Sequence, residues 1–411
     1  MRSPQNLHAQ AFRLSRRQLS IIFLGFLLAA TALFSLTFVL RPMSRALHLS
    51  LTQSALGVTL SWVGGALGGL GFGWVADHWG RRIGLLTALG LAAVAGILGS
   101  QAPDGAMLGL AWFLVGGGVN GENGASYALI AEGIARERRG VIGSTMAGLY
   151  FAGALVGVAI TGLILTHFPS AWRNVLLLGG ILVVLSWVLV WWRIPESDVW
   201  RARTVSDAHA VSLPANTMFR TPYRRVTIGG TLLAIGGLLY LVPFLSLIST
   251  YLETIHHWSV GRTTTLLVVG FAVGFAGYVL DGWIADRWGR PRAAWSLISL
   301  ALFATIAFWV GIPLTLTVPA IFFTSGFFAH FGVWMSESYP PALKARGNNL
   351  TFFAGRIVGG GLGPILVTSL PWQLQTNLSV VLFGAAVISG LAVYVLKDVG
   401  KPQAVNTETG I

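Results

Sequence analysis

From Leu19 to Leu396 the chain is written in long apolar runs separated by short polar breaks. Runs of about 20 apolar residues match a hydrocarbon layer of roughly 30 Å crossed by helices. Lipid offers backbone amides no hydrogen bonds, so each run must satisfy its own and be helical. The pattern predicts twelve spans: 19–40, 53–75, 83–102, 106–131, 141–166, 173–192, 226–250, 263–283, 293–312, 316–337, 348–370 and 377–396. The longest polar stretch, Arg193 to Arg225, holds charge, Ser and Thr with Pro195 and Pro214 as breakers, and divides six spans from six. The expected fold is an all-α membrane protein of twelve transmembrane helices: a six-helix bundle over 1–192, a cytoplasmic linker over 193–225 and a second bundle over 226–411.

Composition sharpens this. The chain is 54% hydrophobic and 10% charged, against roughly 25% charged in an ordinary soluble domain. The first span follows a basic leader but is long and lacks a small-residue cleavage signal, so it is read as a retained span. Of 27 Lys and Arg, only Arg41, Arg45, Arg173 and Arg262 fall in loops on one side and only Arg356 within a span. Cations are retained on the cytoplasmic side, which places both termini there, in a multi-pass cell inner membrane. The net charge of +13 is then a matter of topology and calls for no nucleic-acid partner. Cysteine is absent, no His spacing suggests a metal, and no phosphate loop follows a strand, so no cofactor is expected.

"GWVADHWGRR" (73–82) returns as "GWIADRWGRP" (282–291) about half the chain later, at the same place relative to the second and eighth spans. Glu132 precedes "RRG" (138–140) between the fourth and fifth spans, and Glu337 precedes "ARG" (345–347) between the tenth and eleventh. Repeats of this kind indicate two homologous halves facing the same way. On these residues the chain resembles the major facilitator superfamily of transporters over 19–396. That family's loop motif is matched at Gly73, Ala76, Asp77, Gly80, Arg81 and Arg82, and again at Gly282, Ala285, Asp286, Gly289 and Arg290, with Pro291 where a second basic residue is usual.

An acid at a helix carboxyl end faces the negative end of the macrodipole. Asp77 therefore needs a cation, and Arg81 at i+4 is the local candidate. The resemblance implies that Asp77 lies near the amino end of the eleventh helix and Asp286 near that of the fifth. The implied device is a cytoplasmic latch built from Asp77, Gly80, Arg81, Glu132 and Arg139 in one half and Asp286, Arg290, Glu337 and Arg346 in the other. A plainer reading gives the arginines a topological role only.

Ionisable groups in hydrocarbon point to function, and few occur. "GGGVNGENGAS" (116–126) sets Glu122 near mid-membrane between Asn120 and Asn123. Proton-coupled metabolite carriers of the resembling family have a similar "GGE" followed by a second acid and an "RG", matched at Glu122, Glu132 and Arg139. Trp112 stands where other members place an arginine. Glu122 suits a proton carrier, or is a neutral acid bonded to a neighbouring helix. "GRIVGGGLGP" (355–364) resembles an eleventh-span element of organic-acid symporters and carries Arg356, which keeps its charge and needs an anion. Asp281, on the eighth span, is one candidate anion and a second proton-coupling candidate; a substrate carboxylate is the other. His330 and Trp334 give the tenth span an aromatic face that suits a flat substrate or proton transfer, or serves packing alone. Tyr240 joins them as a substrate-binding candidate. Glu253, His256 and His257 read as solvated outer-loop residues. "IPESDVW" (194–200) resembles a signature ending the sixth span of sugar and organic-ion porters.

The expected function is alternating-access transport of a small organic anion, a carboxylate or aromatic acid, with proton symport, by a functional monomer in the lipid bilayer. The alternative is a multidrug or metabolite exporter, disfavoured by the missing Gly-Pro pair of the fifth span; a transporter-like sensor ranks lower. No nucleophile–base arrangement suggests an enzyme.

Overall fold

The computed structural model describes residues 14–134, 139–201, 215–339 and 344–396. Among these no strand occurs, and twelve helical segments have membrane length. The first half holds α1 (Arg16–Phe38), α2 (Leu51–His78), α3 (Arg81–Ser100), α4 (Gly105–Gly133), α5 (Arg139–His167) and α6 (Trp172–Arg193). The second holds α7 (Arg224–Thr254), α8 (Val260–Trp288), α9 (Arg290–Trp309), α10 and α11, each in pieces, and α12 (Leu374–Leu396). Eleven of the twelve are long and apolar enough to cross a membrane. The other, α4, is long enough but is made less apolar by Asn120, Glu122, Asn123 and its glycines.

Helix starts follow local chemistry. Ser15 and Gln18 cap α1 reciprocally, and Ser50 and Gln53 do the same for α2. The turns into α3 and α9 pass through Gly80 at φ +115° and Gly289 at φ +89°, conformations that a side chain resists. This is why the repeated motif needs its glycine. Pro291 sits in the first turn of α9, where its missing N–H has no helical partner to lose. The second motif's departure is thereby tolerated.

Packing is closest where side chains are absent. A Cβ on Gly64 would stand 1.9 Å from the Phe113 carbonyl oxygen, and one on Gly116 would stand 1.8 Å from that of Ser61. Thus α2 and α4 touch backbone to backbone. Between the halves, α5 packs on α8 and α2 on α11. At the arginine-rich end the motif glycines make this approach twice: Gly73 faces Asn349 of α11 and Gly282 faces Ser144 of α5. Exposed Trp79, Trp191, Trp192 and Trp288 ring that end, and Trp309 and Trp372 the other, as interfacial belts do.

Two spans read as continuous in the sequence are interrupted. α10 runs as Leu314–Thr324, a 3-10 turn Ser325–Phe328 and then Phe331–Ser338, with His330 at the break. α11 runs as Lys344–Gly355, a π-helical stretch Arg356–Leu362 and Gly363–Ser369. Pro364 cannot donate to the carbonyl of Gly360, and the glycines before it resist no distortion.

The α2–α4 contact yields a test. Gly116→Val places atoms against a backbone carbonyl that cannot rotate away, and should leave little monodisperse protein after solubilisation. Gly71→Ala, with nothing within 4 Å of the added Cβ, should match or slightly raise the parent's melting temperature, followed by tryptophan fluorescence. Equal melting of both variants would refute the close contact.

Candidate functional site

Arg356 enters the interface between the halves where α11 becomes π-helical. The same stretch lies directly on α2: Thr59 donates to the Gly361 carbonyl at 2.6 Å, and Gly360 faces the Trp62 ring. Only 8% of Arg356 is exposed. Its Nη1 donates to the Gly65 carbonyl of α2 at 3.4 Å, and the guanidinium lies 4.9 Å from the centre of the Phe352 ring. In the amide orientation that satisfies its neighbours, Asn123 accepts from Arg356 Nη2 at 3.1 Å and from the Tyr150 hydroxyl at 2.8 Å. Asn120 Oδ1 lies 3.1 Å from the same hydroxyl. All these partners are neutral. Arg356 Nε has none, and among the described residues Arg356 makes no ion pair.

Asp281 is not the missing anion. It is fully buried beside an equally buried His330, whose Nδ1 is hydrogen-bonded to Asp281 Oδ2. Asp281 Oδ1 and His330 Nε2 have no partner. The break in α10 places His330 at the start of its last helical piece, with the Trp334 ring 5.5 Å away. Of the two anions that the sequence offers Arg356, the structure thus removes Asp281: α8 serves α10, not α11.

The remaining candidates divide. Asn120 and Asn123 share one face of α4 with Tyr127, at helical spacing. Tyr127 is 36% exposed, and the sequence reading missed it although the spacing was visible. Glu122 lies on a different face with Val115 and Val119, inside the first bundle, and its Oε1 has no partner. Tyr240 does not join the group around Arg356. It is buried in the second bundle, its hydroxyl 3.0 Å from Thr324 Oγ1 and its ring packed on Phe327.

At the arginine-rich end a charge cluster forms twice. Arg81 Nη1 is bonded to Asp77 and Nη2 reaches Glu132 at 3.1 Å. Arg290 reaches Asp286 at 2.9 Å and Glu337 at 3.2 Å. The first copy has an extra element from "IPESDVW". Glu196 accepts from the backbone N–H of Arg81 at 2.7 Å and of Arg82 at 3.2 Å, which caps α3 electrostatically. Ser197 donates to Glu132 at 2.6 Å, and the Trp200 indole donates to the Asp77 carbonyl at 2.8 Å. Sequence reasoning noted this segment only as a signature. An acid one turn beyond a span, opposite a helix that starts with two arginines, was the available signal. The side chains of Arg139 and Arg346 lie outside the described residues, and with them the contact expected of each latch with the other half.

The Major Facilitator Superfamily model matches residues 22–364. The probable 4-methylmuconolactone transporter of Cupriavidus pinatubonensis is 28% identical over 322 residues, which is 76% of this chain and 74% of that protein. The cis,cis-muconate transport protein of Acinetobacter baylyi is 23% identical over 89% of each chain. A crystal structure of a D-xylose-proton symporter superposes with a TM-score of 0.72 at 18% identity, over 94% of this chain and 98% of that one. This last likeness is one of fold.

Removing the Glu196 charge should be felt more than removing that of Asp77. Glu196→Gln weakens charge-assisted bonds of about 1.5–3 kcal/mol each and should lower the melting temperature by several degrees. The Asp77 side chain is 54% exposed, and Arg81 keeps Glu132 without it. Asp77→Asn should therefore barely change melting. The reverse order of melting temperatures would remove Glu196 from the cluster's core.

Proposed function

The chain belongs to the major facilitator superfamily, a family of membrane transporters, and on that footing we propose that it imports a small organic carboxylate together with protons by alternating access. The observation that carries this reading is Arg356, buried between the halves among neutral partners. A guanidinium in low dielectric without a counter-ion costs several kcal/mol, and a carboxylate supplies the planar bidentate partner that such a fork prefers. Arg356 comes from the second half, while Gly65, Asn123 and Tyr150 come from the first. A ligand held by all of them ties the two halves together near mid-span, where carriers of this kind bind. Phe352, beside the guanidinium, suits a flat carbon frame. The relatives' names, one a muconate carrier and one a probable carrier of a muconolactone, support the same substrate class.

For the proton, the Asp281–His330 pair has what Glu122 lacks: two titratable groups in contact, each with one unsatisfied atom, at a helix break. A proton taken up there changes the pair's charge. Coupling requires that the loaded and empty carriers reorient and the half-loaded one does not. The orientation that accompanies this reading keeps the arginine-rich end and both termini in the cytoplasm, and the working unit is one chain with its substrate and protons.

Proteoliposomes with an acid exterior should accumulate labelled cis,cis-muconate or benzoate, and a protonophore should abolish accumulation. Absence of acid-stimulated uptake for both would overturn the reading. Arg356→Lys should raise the apparent KM about ten-fold or more, since ammonium does not reproduce the bidentate pair, and Arg356→Ala should remove uptake. Because Asp281 is committed to His330, Arg356→Ala with Asp281→Ala should not recover activity.

The proton assignment is tested separately. Asp281→Asn should lose accumulation yet retain muconate exchange at equal concentrations, and Glu122→Gln should lose less. If Glu122→Gln alone showed exchange without accumulation, the proton would move to Glu122.

A further inference from the structure

An ion pair joins the halves at the end away from Arg81 and Arg290. Arg41, in the seven-residue helix Leu40–Ala46 after α1, donates from Nη1 to Glu253 in the last turn of α7 at 3.2 Å. The side chains are 27% and 12% exposed. Glu253 is thus no solvated loop residue, as the span prediction had it, because α7 continues past the predicted end at 250. Beside the pair lies a cavity of about 150 Å³ between the halves. Arg41, Arg45 and Thr161 line it from the first half, and Ser249, Glu253 and Thr263 from the second. Arg41 Nε and the buried Thr263 hydroxyl have no hydrogen-bond partner.

The charge placement is unusual. Cations are depleted on the outer side of membrane proteins, yet two of the four arginines in this chain's predicted outer loops line one cavity. With Glu253 they leave an excess of one positive charge. At roughly 30 Å³ per water, the space holds about five waters' worth of volume, enough for a carboxylate with part of a small ring. Among the described residues, Phe38 is the one aromatic residue of its lining and begins a chain of ring contacts. Phe38 meets Phe271 at 5.8 Å, and Phe271 meets Phe322 at 4.8 Å and Phe151 at 6.2 Å. These rings carry the interface inward from the cavity, and Phe151 follows Tyr150, whose hydroxyl bonds Asn123 beside Arg356.

We propose that this cavity is an outer entry subsite for the carboxylate of the transported acid, locked by the Arg41–Glu253 pair until an incoming carboxylate replaces Glu253 on Arg41. The proposal rests on the reading of the chain as an organic-anion carrier. Glu253 neutralises Arg41 while the halves are closed at this end. When they part, Arg41 and Arg45 face an anion that no longer has to compete with Glu253, and the free hydroxyls of Thr263 and Ser249 donate to its oxygens.

The full chain contains no cysteine, so Thr263→Cys is a unique reporter, nearly isosteric with the parent. In intact cells, a membrane-impermeant maleimide should label the thiol of Thr263→Cys about five-fold faster or more when Arg41→Gln or Glu253→Gln is added, as expected when a partly enclosed pair is lost. Arg41→Glu with Glu253→Arg should return the rate toward that of the reporter alone. Equal labelling in all four proteins would overturn the lock. Benzoate, but not benzamide, should slow labelling; Arg41→Gln should abolish that protection and Arg356→Gln should keep it. Protection lost with Arg356→Gln and kept with Arg41→Gln would assign it to the central site, overturning the subsite while leaving the carrier reading intact. Carboxylate protection without carboxylate uptake would do the opposite.

Discussion

A buried positive charge with no ion pair among the described residues sets the terms for this molecule. Arg356 is held by one backbone carbonyl, one amide oxygen and the face of a ring. Neutral acceptors recover only part of the hydration lost on burial. The surroundings are arranged around that deficit. The π-helical stretch turns α11 toward α2, the glycines of α2 bring a carbonyl within reach, and Asn123 is fixed from behind by Tyr150. The other ionisable groups inside the bundle follow a different rule. Asp281 has His330, and Glu122 is an acid, which can shed its charge by holding a proton as a guanidinium cannot.

The duplicated clusters show how one ancestral solution diverges under local constraint. In each copy an arginine at the start of a helix bridges the acid four residues before it and the acid at the end of the next span. The first copy is buttressed by Glu196, Ser197 and Trp200. The second has no counterpart to Glu196 among the described residues: the space beside Gly289 is open, whereas a Cβ on Gly80 would collide with the Glu196 carboxylate. Pro291 removes a backbone donor where Arg82 presents one to Glu196.

What was legible in the sequence is what the lipid dictates. Twelve apolar runs imply twelve helices because no other arrangement satisfies the backbone, and the repeated motif follows from two turns that need positive φ. The site was legible by residue type and less so by contact. Arg356 stood out as a span arginine, and Asn120 and Asn123 lie beside it. The sequence leaves open the choice between Asp281 and a substrate carboxylate as the anion for Arg356 because the breaks in α10 and α11 change the rotation of everything beyond them, and no periodicity records a π-helical insertion. Of the two anions the sequence offered Arg356, Asp281 is the one the structure gives to His330 instead. Tyr240 was misplaced for a simpler reason: in a span that is apolar on every face, periodicity does not tell the bundle interior from the interface. Glu253 was misread through a helix end, since a polar residue in the last turn of a span looks like the loop that follows.

Among the described residues, the contacts between the halves differ in kind at the two ends. At the arginine-rich end, Gly73 against Asn349 and Gly282 against Ser144 are close contacts of small groups, short-ranged and indifferent to what the carrier holds. At the opposite end, Arg41–Glu253 is a charge contact, and its strength depends on any other anion nearby. An anionic cargo can therefore bias one end directly through competition and the other only through the rigid movement of the halves. In the proposed reading, the same chemical feature of the cargo, its carboxylate, first loosens the outer lock and then compensates Arg356. A neutral analogue does neither. Selectivity for charge is then exercised at two places along one path. The energetic penalty of the buried arginine is what makes the second of them decisive.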